Sequence, residues 1–343
     1  MVAEREQQRQ WAADLIVAAK LVAERLGAGG RLVAVGPGRA APDARHIAVE
    51  FLHPVIVGKP ALPALVGVDA VPDRDAVVAV AYEGAVIDGP VDVAISDRPL
   101  SQARVTIAIP PAGAKHAAVV SYHVLWELVH VFLEAGQRAT TTSAAIESLY
   151  PMLYGNGRQP DGDLDESAVA SVIDKLGEAD AVLARALVEN DRSLDAAAEI
   201  FATAPMVYTF GNGGSATDAE DLAHLLSPRS TAISSDNATV TALANDVGFD
   251  VVLARPLATL ARPGDAVVGL STSGTSANVI AGLRHGAANG LATVGFAGYG
   301  GGAMTDLGLD ALLVVRSDSV HRIQEAQVGL YCEAVSRARA LVG

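Results

Sequence analysis

Two short runs of small residues carry the clearest chemistry in this sequence. Phe210 to Ser215 reads F-G-N-G-G-S, and Ser271-Thr272-Ser273-Gly274-Thr275-Ser276 follows about sixty residues later. Each run follows an apolar stretch of strand length, 204–209 and 266–270, and each leads into a stretch of helical periodicity. A small-residue loop between a strand and a helix start lets backbone N–H groups approach an anion, and the helix dipole adds favourable partial charge. The hydroxyls supply further donors, so the pattern predicts a phosphate cradle built from Asn212, Gly213, Gly214 and Ser215 with Ser271, Thr272, Ser273, Thr275 and Ser276.

Loops of this kind need a rigid sheet behind them, and the chain has the material for one. Of its 343 residues half are hydrophobic, enough for real cores. Segments 31–35, 64–68, 76–81, 91–95 and 105–109 read as strands, and 5–26, 43–51 and 117–133 as helices. The order is α/β throughout. A Gly-, Pro- and Asp-rich stretch, 155–162, marks a linker over 138–163 between a first unit, 1–137, and a second, 164–343.

The second unit repeats the first. With Gly36-Pro37-Gly38 on Gly211-Asn212-Gly213, Asp43-Ala44 falls on Asp218-Ala219 without a gap. Asp75 falls on Asp265 and Gly84 on Gly274 in the same way, and the first copy is shorter around its second loop, where a helix is expected to be missing.

The formal charge of −14, without a Lys/Arg cluster, argues against nucleic acid or an acidic membrane as a partner. A single cysteine, Cys332, rules out an internal disulfide framework, and the charged N-terminus lacks the pattern of a signal peptide. A cytoplasmic location is the expectation.

The second half resembles the sugar isomerase (SIS) family, and within it the phosphoheptose isomerases. The resemblance rests on Gly211-Asn-Gly-Gly-Ser215, Asn245-Asp246-Val-Gly-Phe249, Pro263-Gly-Asp265, the Ser/Thr run continuing to Val279, and Arg322-Ile-Gln-Glu325. It implies two tandem units, each a parallel sheet flanked by helices, and interconversion of a ketose phosphate and an aldose phosphate through an enediol. It also implies a His and a Glu four residues apart after the first loop and a further His on the final helix. Asp221, Leu225 and Cys332 stand at those places in the second half, while Gln324, another family site residue, is kept.

Carried onto the repeat, the pattern places His46 and Glu50 in the first half at the His and Glu, with His130 the candidate on the matching final helix. The first half has in turn lost its loops, with Pro37, Arg39 and Ala40 replacing Asn212, Gly214 and Ser215, and Ala81 to Val86, including Glu83, replacing the Ser/Thr sextet. The resemblance therefore implies divided duties, with phosphate held by the second unit and proton chemistry done by Glu50 as base and His130 as acid. His46, paired with Glu50, and Gln324 would be further catalytic residues, and Asp246 would contact the substrate. His46, Glu50 and His130 would alternatively form a zinc set with an open position. The family's homo-oligomers imply a homo-oligomer here, and a non-catalytic sugar-phosphate-binding regulatory or assembly protein is the other reading.

Overall fold

The computed structural model describes residues 2–54, 58–67, 70–137 and 166–343. The chain divides into two compact units, Met1–Glu178 and Ala179–Gly343. The expected linker, 138–163, lies outside the described residues.

In the first unit, helix α1 (Val2–Gly27) leads into β1 (Leu32–Val35), α2 (Ala41–Leu52), β2 (Ala64–Val66), β3 (Ala76–Ala81), β4 (Val91–Ser96), β5 (Ala103–Ala108) and α3 (Ala114–Gln137). The strands form one parallel sheet in the order β2-β1-β3-β4-β5. Helix α3 is long and apolar enough to cross a bilayer, but most of it is buried within the protein, where Tyr122, Val124, Leu125 and Trp126 make core.

Helix α4 (Glu166–Glu189) spans the division between the units. The second unit continues with α5 (Asp191–Thr203), β6 (Val207–Phe210), α6 (Gly214–Leu226), β7 (Ser230–Ala232), α7 (Asn237–Asp246), α8 (Ala254–Leu260), β8 (Ala266–Ser271), α9 (Ala277–Ala288), β9 (Ala292–Gly298), β10 (Ala311–Val315) and α10 (Val320–Val342). Its sheet is again parallel, in the order β10-β9-β8-β6-β7. Strand β8 is buried along its whole length, which is why its sequence is an unbroken apolar run rather than an alternating one.

The two sheets share one topology and one register. Leu32 pairs with Ala76 and Val35 with Ala79 in the first, while Val207 pairs with Ala266 and Phe210 with Gly269 in the second. These are the pairs that the sequence repeat superimposes. Gly36 and Gly211 also do the same job: a Cβ on either would collide with the backbone carbonyl four residues on, at Ala40 or Ser215, so only glycine lets the following helix start this close to the strand. The copies differ in their connections. Between β2 and β5 the described residues form no helix, whereas the second unit has α7 and α8 before β8 and α9 after it. The expected loss near the second loop is present, and it extends to the β2–β3 connection. In the β3–β4 and β4–β5 connections the loop residues Ile87 and Leu100 pack with Ala79, Ala81 and Ala94 instead.

Candidate functional site

In an open parallel sheet, ligands bind outside the carboxyl ends of the strands where the strand order reverses. In the second unit that point lies between β6 and β8, and both small-residue loops are there. The first turns through Gly213, whose φ of 53° is left-handed, into α6, with Ser215 buried in the first turn. The second leaves β8 at Ser271. Its Oγ lies 3.0 Å from Ser276 Oγ and 3.3 Å from Ser273 Oγ, and accepts the Gly274 N–H at 3.2 Å. Ser273 Oγ accepts from the Thr275 N–H at 3.2 Å and the Thr275 hydroxyl at 2.9 Å. Ser271 is buried at the hub, while Ser273 and Ser276 are half-buried and Thr275 is exposed, which leaves hydroxyls facing the crevice edge.

Gly274 has φ 65°, and a Cβ on it would strike the Gly301 carbonyl. The glycine-rich turn after β9 thus backs the hydroxyl loop. Asn212, expected to hold phosphate, also joins the two loops. Its amide donates to Asn278 Oδ1 at 2.9 Å and accepts from Asn278 Nδ2 at 2.8 Å, a reciprocal pair that ties the two loops together. Asn278 lies inside the Ser/Thr motif but was not singled out by it.

Gln324 is buried on α10 next to Ile323, which packs against Gly298 at the end of β9. Gly298 in turn abuts the Thr272 backbone, so the start of α10 borders the second loop. Asp246 is exposed at the end of α7 and accepts from Asn245 Nδ2 at 2.8 Å. Asp221, at the position of the family His, accepts the Tyr331 hydroxyl at 2.9 Å, both fully buried. Burial first, and then the Asp221 and Asp218 carboxylates, push the Tyr331 phenol well above its ordinary pKa, so it stays a donor. Arg322 and Glu325 form a buried ion pair at 2.8 Å. The Tyr331–Asp221 bond ties α6 to α10, and Asp221 and Leu225 stand on α6 where His46 and Glu50 stand on α2.

The first unit supplies that pair. His46 Nε2 is 3.7 Å from Glu50 Oε1, one helical turn apart on α2 and almost completely buried. The His46 ring lies 5.3 Å from the ring of His123 and 5.2 Å from that of Tyr122. Trp126 Nε1 donates to the Glu50 carbonyl at 2.9 Å, anchoring α3 against α2 at this level. Asp43, one turn before His46, accepts from Lys115 Nζ and from the Tyr82 hydroxyl, both at 2.8 Å.

His130 does not join them. Its Nδ1 is 3.0 Å from the Trp126 carbonyl, its Nε2 3.3 Å from the Pro60 carbonyl, and its ring packs on Trp126 at 4.1 Å. Burial lowers its pKa and keeps it neutral, while the two carbonyl contacts raise it by less. Two turns earlier on α3, the ring that neighbours His46 is that of His123. The His130 ring is thus held against Trp126 and the Pro60 carbonyl, while His46 and Glu50 face each other on α2. Among the described residues no three His, Cys, Asp or Glu side chains are grouped to hold a metal ion.

Residues 176–298 match the family model described as SIS domain. A phosphoheptose isomerase of Solidesulfovibrio magneticus is 39% identical over 188 residues, covering 50% of this chain and 91% of the relative. One from Roseiflexus sp. is 42% identical over 139 residues, covering 37% and 70%. Among solved structures, the C-terminal domain of glucosamine-fructose-6-phosphate aminotransferase from Francisella tularensis is similar in fold over 99% of this chain and 95% of its own, with a TM-score of 0.64 at 13% identity.

Proposed function

The chain belongs to the SIS-domain family, with phosphoheptose isomerases among its relatives, and from that premise we propose that it is a sugar-phosphate aldose–ketose isomerase acting on sedoheptulose 7-phosphate or a similar ketose phosphate. The observation that carries this reading is the pair of loops at the strand-order reversal of the second unit. Two helix starts and the hydroxyls of Ser273, Thr275 and Ser276 meet there as an anion cradle.

The proton chemistry is assigned to the first unit. Isomerisation removes a proton from the carbon beside the carbonyl, forms an enediol, and returns a proton to the neighbouring carbon. Glu50 is the proposed base. His46, and His123 next to it, are the proposed groups that manage the oxygen protons, in place of His130, whose nitrogens already face backbone carbonyls. What supports the division is complementary loss: the unit with hydroxyl loops has Asp221 and Leu225 where the other has His46 and Glu50. Gln324 is the proposed hydrogen-bonding partner of the sugar.

The test is incubation of the full chain with sedoheptulose 7-phosphate while watching for a new aldose phosphate. Formation of the aldose supports the proposal. Unaltered substrate that nonetheless binds would leave a sugar-phosphate-binding protein, and no binding at all would remove both readings.

A further inference from the structure

The crevice of the first unit, where the loops have lost their hydroxyls, is not simply derelict. Arg39, at the position of Gly214, reaches across from the β1 loop to Glu83, at the position of Ser273 in the loop after β3. Its Nη1 donates to both carboxylate oxygens, at 2.9 and 2.8 Å. A carboxylate thus sits on a guanidinium at the same topological point at which the second unit presents its hydroxyl loop. In the second unit the two loops are tied by Asn212 and Asn278; here the tie is an anion held by a cation.

The geometry of Glu83 shows that it is held there. Its backbone is left-handed, with φ 55°, a conformation unfavourable for a residue with a Cβ, and its N–H donates to Asp97 Oδ2 at 2.9 Å. The pair is also weak by its setting, since the Arg39 and Glu83 side chains are 37% and 53% exposed. Half-exposed pairs of this kind contribute little, whereas a phosphate offers Arg39 more charge and bidentate oxygens. The neighbouring Asp43 is already engaged by Lys115 and Tyr82, so it does not compete for Arg39.

We infer that the first unit retains an anion site at Arg39 whose resident anion is the Glu83 carboxylate, and that inorganic phosphate or a phosphate monoester competes with Glu83 for it. Glu83 then acts as a built-in occupant that keeps this crevice closed to phosphate until a ligand displaces it. The inference concerns the first unit alone and does not depend on isomerase activity.

Calorimetric titration of the full chain with inorganic phosphate tests it, comparing the wild type with Glu83→Gln, Glu83→Ala and the double variant Arg39→Ala/Glu83→Ala. The expected result is one additional phosphate per chain in both single variants, or at least a tenfold gain in affinity at that site, abolished in the double variant. Because the readout is a difference between variants, it stands whether or not the second unit binds phosphate. Identical titrations for the wild type and Glu83→Gln, or an added site that survives loss of Arg39, would overturn the inference. Glu83→Gln keeps the side chain's size and guards against a variant that fails to fold.

Discussion

At the scale of single residues, the account turns on which side chains around His46 can move protons. Glu50 lies 3.7 Å from His46, and replacing it by Gln keeps the shape while removing the base. Glu50→Gln is expected to lower kcat by about 10²- to 10⁴-fold with substrate binding retained, as read by steady-state kinetics and titration. The histidines of α3 separate in the same assay. His123→Asn should cost at least about tenfold in kcat, whereas His130→Asn should leave kcat within a few-fold and lower the melting temperature instead, because that ring packs on Trp126 and Phe51. The facing of His46 and Glu50 on one helix was legible in the sequence because the repeat aligns without a gap from Gly36 onward. The choice between His123 and His130 was not, because they lie seven residues apart in one apolar helix and only the packing of α3 on α2 shows which ring meets His46.

At the scale of elements, β1 to β6, β8 and the loops that follow β6 and β8 were legible to within a few residues, whereas β7, β9 and β10 were not read as strands. Buried parallel strands write themselves as apolar runs, and small-residue turns interrupt them. The loop-to-loop ties were not legible: nothing in the motif announces that the Asn212 amide pairs with Asn278, a contact 66 positions away in the chain. The hydroxyl loop depends on that support. Ser271→Ala removes the hub that Gly274, Ser273 and Ser276 share, and should raise KM about tenfold with a smaller change in kcat. Gly274→Ala places a Cβ against the Gly301 carbonyl on left-handed backbone, and is expected to cost about 2–4 kcal/mol by chemical denaturation and to weaken phosphate binding with it.

At the scale of the whole molecule, the chain is one α/β pattern written twice, with matching strand order and register and with different residues in the loops of each copy. Its stability should fall in acid in two stages. His130 is held neutral with a lowered pKa, so its contribution is complete above about 6.5 and begins to fade below it. Asp75, fully buried and bonded first by Arg31 and then by Arg74 and the Val71 N–H, has its pKa pulled far below the usual carboxylate range. Its contribution is present above about 4 and is lost as the pH drops further. Thermal melts from pH 8 to 3 should show both declines, and Asp75→Asn should start several degrees lower and lack the second. The division of labour itself is tested most directly by incubating sedoheptulose 7-phosphate with wild type and Glu50→Gln in deuterium oxide and following the carbon-bound protons by NMR. The account predicts deuterium entering beside the carbonyl, together with aldose formation, only with the wild type, while both proteins bind the substrate. Exchange that persists undiminished in Glu50→Gln, or no exchange with the wild type, would contradict it.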